Sequence, residues 1–192
     1  MEPPFYHVDR RGDLSVGDTL DINWDLTIYR ADETHTVDSQ YEGQVREDFQ
    51  EGLSAHGSRY FHPFYEIDHN REYYLQYAYK RIPTPVSGSE CQYLHVKNGI
   101  NEWLAERTRR ERFPKKHSRL QSYFAWPSGG VIDTFGDDNV PVYKVVPSDF
   151  ELHDMSLLDS QKGIQEYWKG TLTAQPKLEI VMEGPVEVVD IC

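Results

Sequence analysis

The stretch from Lys177 to Ile191 constrains this chain most, because valine and isoleucine dominate it. β-Branched residues favour strands, and the pair Gly184-Pro185 divides the stretch as a turn would. The pattern therefore predicts two β-strands joined by a turn. Acidic residues interrupt both halves, and a strand could hold such a carboxylate rigidly in a cleft.

Further strands are indicated in the rest of the chain, and helices lie between them. Alternating side chains predict strands at residues 4–9, 20–28 and 140–146, and a strand or a strand–helix junction at 118–126. Apolar residues at helical spacing predict helices at residues 43–53, 72–82, 100–112 and 164–168, the last closed at Gly170. Strands at both ends with helices between them indicate one α+β domain over residues 1–192.

The composition of the chain indicates the cellular location of such a domain. The chain has 192 residues, of which 38% are hydrophobic, and this is enough for a packed core. No apolar run approaches the ~20 residues that a membrane helix needs, and the first residues show no secretory leader pattern. The cysteines Cys91 and Cys192 form neither a CxxC pair nor a disulfide framework. We therefore expect a cytoplasmic protein that binds no membrane.

The charge of the chain is unevenly distributed. The net charge is −12, which argues against binding nucleic acids through a general basic surface. Residues 107–119, however, contain seven arginines and lysines and one acid, Glu111. We interpret most of these cations as a solvated helix end, where they interact favourably with the helix dipole. Arg119 is instead expected to bind an anion, and RNA binding by the whole segment, with His117 as acid or base, is an alternative.

Three short motifs follow one another along the chain. Tyr6-His7 lies on the first predicted strand, and residues 118–124, Ser-Arg-Leu-Gln-Ser-Tyr-Phe, alternate short polar with bulky side chains. Glu179 precedes the aliphatic residues 180–182 and the Gly-Pro pair. The order of histidine, then hydroxyl and aromatic residues, then glutamate resembles the ADP-ribosyltransferase superfamily of the His–Tyr–Glu class. The resemblance implies a split antiparallel β-sheet core with flanking helices.

The resemblance also implies an activity. It is the NAD-dependent transfer of ADP-ribose, with release of nicotinamide, to an acceptor that is a protein, a nucleic acid or a small molecule. Glu179 would be the catalytic acid, His7 would donate a hydrogen bond to a ribose hydroxyl, and Tyr123 would take the tyrosine role. The residues implied to contact NAD are Tyr6, His7, Ser118, Arg119, Ser122 and Phe124. Such enzymes act as toxins or defence factors, which implies an antitoxin or a regulatory partner.

Several alternatives stay open at this point. Glu183 or Glu187 could replace Glu179, and the tyrosine role could fall to Phe124 or to a tyrosine of residues 73–79. A catalytically inactive interaction module of the same fold would share these motifs. Tyr167 and Trp168 are expected to pack in the core rather than to act on a substrate.

The sequence predicts no metal ion and no other nucleotide-binding device. His56, His62 and His69 lie close together, but their spacing fits no standard zinc motif. The glycine patterns of Rossmann and P-loop nucleotide sites do not occur in the chain. NAD would therefore have to be bound through the three motifs above.

Overall fold

The fold is α+β, as the sequence predicts. A computed structural model describes residues 2–10, 12–22, 47–50, 52–54, 56–57, 60, 89–128 and 140–192. Its elements in chain order are β1 (Phe5–Val8), β2 (Thr19–Leu20), α1 (Ser89–Arg112), β3 (Tyr123–Ala125), β4 (Val142–Asp154), a 3-10 helix (Met155–Asp159), α2 (Gln161–Trp168) and β5 (Leu178–Ile191). The predicted helix 72–82 lies outside the described residues, and so does most of the predicted strand 20–28. Of the predicted helix 43–53, residues 47–48 are helical but residues 49, 50, 52 and 53 are not, so this helix ends earlier than predicted.

The described strands form one antiparallel sheet. Its order is β1-β4-β5-β2, and β3 pairs with β5 as well. β3 also contacts β1, because Tyr6 and Trp126 exchange two backbone hydrogen bonds of 2.9 Å each. The sheet therefore curls until β1 and β3 meet, and β3 stands between the first strand and the last.

The tail of the chain forms one strand, so the predicted pair of strands with a turn between them is wrong. β5 runs through Gly184 and Pro185 without reversing, over 14 residues. Gly184 has φ +72°, and the register of the neighbouring β4 shifts between Pro147 and Asp149, opposite this point. On its other edge, β5 passes here from β3 to β2, so the missing N–H of Pro185 costs little pairing. A β-bulge thus absorbs the Gly-Pro pair.

The two faces of the sheet pack against different parts of the protein. One face carries a cluster of buried apolar residues, named the main core here: Phe5, Leu20, Ala125, Tyr143, Val145, Ile180, Met182, Val186 and Val188. Successive side chains on a strand point to opposite faces. Phe124 and Glu179, which alternate with main-core residues, therefore project from the other face. There Phe124 meets Arg119 and Glu179 meets Tyr167 of α2.

The two helices pack together on that second face. Ser160 caps α2 by accepting a hydrogen bond of 3.0 Å from the N–H of Gly163, and the chain leaves the helix at Gly170 with φ +76°. Tyr167 and Trp168 are fully buried, which confirms their predicted packing in the core. α1 begins at Ser89, earlier than predicted, and none of the described helices is long and apolar enough to cross a membrane.

Candidate functional site

A buried guanidinium group connects three elements of the fold. Arg119 lies in the turn before β3, and only 5% of its side chain is exposed. Its Nε and Nη2 each donate a hydrogen bond of 2.9 Å to Glu102 of α1. Its Nη1 donates to the hydroxyl of Tyr167 on α2, at 2.7 Å, and to Oε1 of Glu179 on β5. We call Glu102, Arg119, Tyr167 and Glu179 the arginine network.

Opposite charges stabilise one another within the arginine network. Burial alone would raise the pKa of Glu102, but the charges of Arg119 and His56 hold that pKa well below its usual range. Burial would lower the pKa of Arg119, yet the two carboxylates raise it well above the usual value. Burial also raises the pKa of Tyr167, so its hydroxyl stays neutral. Two carboxylates therefore share one guanidinium.

The stability of the protein is expected to fall as the pH drops below about 4.5, the usual pKa of a glutamate. The pKa of Glu102 is lower in the folded state, so the unfolded chain binds the proton first and unfolding is favoured in acid. Urea unfolding between pH 7 and pH 3 measures this. The variant Glu102→Gln lacks the titrating group and should show a flatter dependence; an equally steep one would contradict the assignment.

Glu179 is held by one of its two carboxylate oxygens. Oε1 accepts hydrogen bonds from Arg119 and, at 2.8 Å, from the hydroxyl of Tyr167. Oε2 has no hydrogen-bond partner among the described residues, and 5% of the side chain is exposed. The carboxylate is thus fixed in place while one oxygen remains available to a ligand.

Two aromatic rings lie beside the arginine network. The guanidinium carbon of Arg119 lies 4.7 Å from the ring centroid of Phe124, a cation–π distance. The ring of His56 is 4.6 Å from that of Phe124, and its Nε2 is 3.2 Å from Oε1 of Glu102. The side chain of His56 is 26% exposed, more than Glu102, Arg119 or Glu179. His56 is therefore where the network reaches the surface.

His7 is fixed by the main chain of β3. Its Nδ1 lies 2.7 Å from the carbonyl oxygen of Phe124, and since a carbonyl only accepts, Nδ1 carries the hydrogen. Burial lowers the pKa of His7, although Phe124 and Asp9 act in the opposite direction. The imidazole is therefore neutral, and its Nε2 is an acceptor. His7 shares its sheet face with Phe5, and no described contact joins it to Glu179.

The two tyrosines of the motifs lie away from the arginine network. Tyr123 packs against the main core, on the face opposite to Phe124, and its hydroxyl donates to the carbonyl of Asp21 at 2.6 Å. Tyr6 packs beside Val8 and Trp126. Of Tyr123 and Phe124, the two neighbouring aromatic residues of the central motif, it is Phe124 whose ring contacts Arg119.

The two serines of the central motif are buried but differ in their partners. Ser118 donates a hydrogen bond of 3.0 Å to Glu106, which is fully buried on α1. Ser122 is also fully buried, and its Oγ has no partner among the described residues. Ser118 thus helps to hold α1, whereas the hydroxyl of Ser122 is not committed to a described residue.

The basic segment 107–119 is largely neutralised within the protein. Arg109 and Arg110 both donate to Glu106, at distances between 2.8 and 3.0 Å. Lys116 pairs with Glu151 at 3.0 Å, in addition to the pairing of Arg119 described above. These contacts support a structural role for most of these cations.

The alternative acids on β5 lie outside the arginine network. Glu183 pairs with His117, whose Nε2 is 3.1 Å from its Oε2 and 3.2 Å from Oδ2 of Asp149. Glu187 is exposed. Glu179 is therefore the acid of β5 that meets Arg119, and His117 is itself held by two carboxylates.

Sequence reasoning missed Glu102, His56 and the hydroxyl of Tyr167. Glu102 carried no local signal, because it lies off the predicted apolar stripe of Ile100, Trp103 and Leu104, on a side of the helix where a charge is ordinarily solvated. The sequence draws attention to His56 only as a metal ligand, together with His62 and His69. Those two histidines lie outside the described residues. Tyr167 looked like an ordinary core residue.

The comparison with known protein families covers nearly the whole chain. One family model matches residues 5–192, from the first residue of β1 to the last residue of the chain. A search of the curated proteins found no match. The arginine network and His7 thus lie within the matched region. The chain belongs to the family described as "Protein of unknown function (DUF2441)".

Proposed function

We propose that the protein is an NAD-dependent ADP-ribosyltransferase. The adjacency of the three motifs carries this proposal: β3 is paired with β5 on one side and contacts β1 on the other. His7 reaches the main chain of Phe124, and the ring of Phe124 contacts the guanidinium that holds Glu179. Residues that are far apart in sequence thus meet around one short strand.

The proposed reaction transfers the ADP-ribosyl group from nicotinamide to an acceptor. The bond between the nicotinamide nitrogen and C1′ of the ribose breaks, and nicotinamide leaves with the electron pair. An acceptor nucleophile bonds to C1′ and gives up its proton. Positive charge develops on the ribose, as in glycoside cleavage, and a fixed carboxylate beside it lowers the barrier. Glu179 suits this role because two hydrogen bonds fix its Oε1 while its Oε2 has no hydrogen-bond partner among the described residues.

Binding of NAD by the residues present would need two changes of role, and His7 and Glu179 project from opposite faces of the sheet. His7 would accept a hydrogen bond from a ribose hydroxyl rather than donate one, because its Nδ1–H is already used. Arg119 would hold Glu179 rather than a diphosphate, since its donors bind Glu102, Tyr167 and Glu179. The split sheet, the cytoplasmic location, the unidentified acceptor and a toxin or defence role with its partner all belong to this proposal.

Nicotinamide release from NAD is expected to fall by about 100-fold or more in Glu179→Gln, the usual cost of losing one transition-state electrostatic contact. Glutamine keeps the shape of the side chain but not its charge. The matched control is Glu187→Gln, which changes an exposed acid of the same strand and should keep the wild-type rate. Calorimetry with NAD and a melting curve accompany both variants.

Three results would contradict the proposal. An unchanged rate in Glu179→Gln would remove the catalytic role of this residue. Failure of the wild type to bind NAD would favour the non-catalytic interaction module. RNA binding that weakens steeply with salt would favour the basic segment as the functional surface.

A further inference from the structure

We infer that the hydroxyl of Tyr167 orients the carboxylate of Glu179 and decides which oxygen is left for a ligand. Arg119 donates to this hydroxyl at 2.7 Å, and a guanidinium has no acceptor. The hydroxyl therefore accepts from Arg119, and its own hydrogen points to Oε1 of Glu179, 2.8 Å away. The direction of both hydrogen bonds is thus fixed by chemistry, and Oε2 is the oxygen left over.

The position of Tyr167 does not depend on Glu179. Its ring is stacked on that of His153, with centroids 4.3 Å apart and planes 18° apart, and the edge of Trp168 lies against it at 4.9 Å. Nδ1 of His153 also lies 2.8 Å from the carbonyl oxygen of Tyr167, so it donates there. β4 and α2 therefore place the hydroxyl before any ligand arrives, as a positioning residue requires.

Arg119 alone would not fix the carboxylate. Glu102 holds the guanidinium at Nε and Nη2, so only Nη1 reaches Glu179. A single donor lets a carboxylate rotate about its last carbon–carbon bond, whereas a second donor from another direction restricts that rotation. Phenylalanine would fill the same space as Tyr167 but would leave Oε1 with one donor. The hydroxyl therefore has a role beyond packing.

In the proposed reaction, on which this consequence rests, a misaligned carboxylate lowers the rate rather than the affinity for NAD. We expect Tyr167→Phe to reduce kcat for nicotinamide release by about 10- to 100-fold, with KM for NAD within about twofold. The matched control is Tyr143→Phe, because the hydroxyl of Tyr143 is also bound, donating to the carbonyl of Leu14 at 2.6 Å. That control should keep kcat within about twofold. Equal kcat values for the two variants would overturn the inference.

A second measurement needs no activity. Melting temperatures of Tyr167→Phe, Glu179→Gln and the double variant form a cycle, in which the two shifts should fail to add by about 2–4 °C. The cycle of Tyr143→Phe with Glu179→Gln should be additive. If the wild type releases no nicotinamide, the proposed function is wrong. The cycle of melting temperatures then tests by itself whether the hydroxyl of Tyr167 holds the carboxylate of Glu179. Additive shifts for Tyr167 and Glu179 would overturn it.

Discussion

Replacing Arg119 by methionine is expected to lower the free energy of unfolding by about 3–5 kcal/mol, the usual cost of removing one partner from a buried ion pair. Methionine fills much of the volume of the side chain but leaves Glu102 and Glu179 in the interior without their shared cation. The side chains of Glu102 and Glu179 are only 11% and 5% exposed, so water cannot readily replace the guanidinium. Equilibrium unfolding in urea measures the loss.

The exposed Arg112 at the end of α1 provides a matched control for this result. Arg112→Met should change the free energy of unfolding by no more than about 0.5 kcal/mol, because surface substitutions away from special contacts cost little. Adding Glu102→Gln to Arg119→Met should recover part of the loss, since it removes one stranded charge. A loss below about 1 kcal/mol for Arg119→Met would mean that water reaches these carboxylates.

The second large effect is expected at the start of the 3-10 helix, where Asp154→Ala should cost about 1.5–3 kcal/mol, the usual range for hydrogen bonds to a charged group, because it removes a buried carboxylate that accepts five of them. Oδ1 accepts from the N–H and the hydroxyl of Ser156, at 3.0 and 2.6 Å, and from the N–H of Lys177 at 2.9 Å. Oδ2 accepts from the N–H and the hydroxyl of Thr173, at 2.9 and 2.7 Å. One carboxylate thus holds the middle and the last residue of the segment between α2 and β5, together with the start of the 3-10 helix. Thermal and urea unfolding would measure the change.

The exposed Asp190 is the matched control for Asp154. It makes one ion pair, with Lys144, and 55% of its side chain is exposed. Asp190→Ala should therefore cost less than about 1 kcal/mol, as surface ion pairs do. Similar losses for both variants would show that the hydrogen bonds of Asp154 contribute no more than an exposed pair does.

Local pattern was sufficient for much of the fold. Phe5–Val8 forms a strand within the predicted residues 4–9, and the helix over Ile164, Tyr167 and Trp168 ends at its glycine. The failure at Gly184-Pro185 has a physical cause: these residues also occur at bulges, and a bulge depends on the neighbouring strand. Its counterpart, the register shift in β4, lies about 36 residues earlier and leaves no local mark.

The site was less accessible to sequence reasoning. The sequence predicts functional roles for both Arg119 and Glu179, but separate ones. Nothing local shows that two residues 60 positions apart form a hydrogen bond with each other. The face of a strand was equally hard to assign: the choice between Tyr123 and Phe124 depends on which face of β3 meets the main core. Only the packing of β3 against β5 shows that Tyr123 faces the main core and that Phe124 faces Arg119.

The pairing of β1 with β4 also matters while the chain is being made. Phe5 lies opposite Val145, so the first strand leaves the ribosome long before its partner is synthesised. At ordinary rates of translation the interval is on the order of ten seconds. During that time the apolar side chain of Phe5 has no strand to cover it, and closing so long a loop is slow. The first strand should therefore remain unpaired in the nascent chain until β4 has been synthesised.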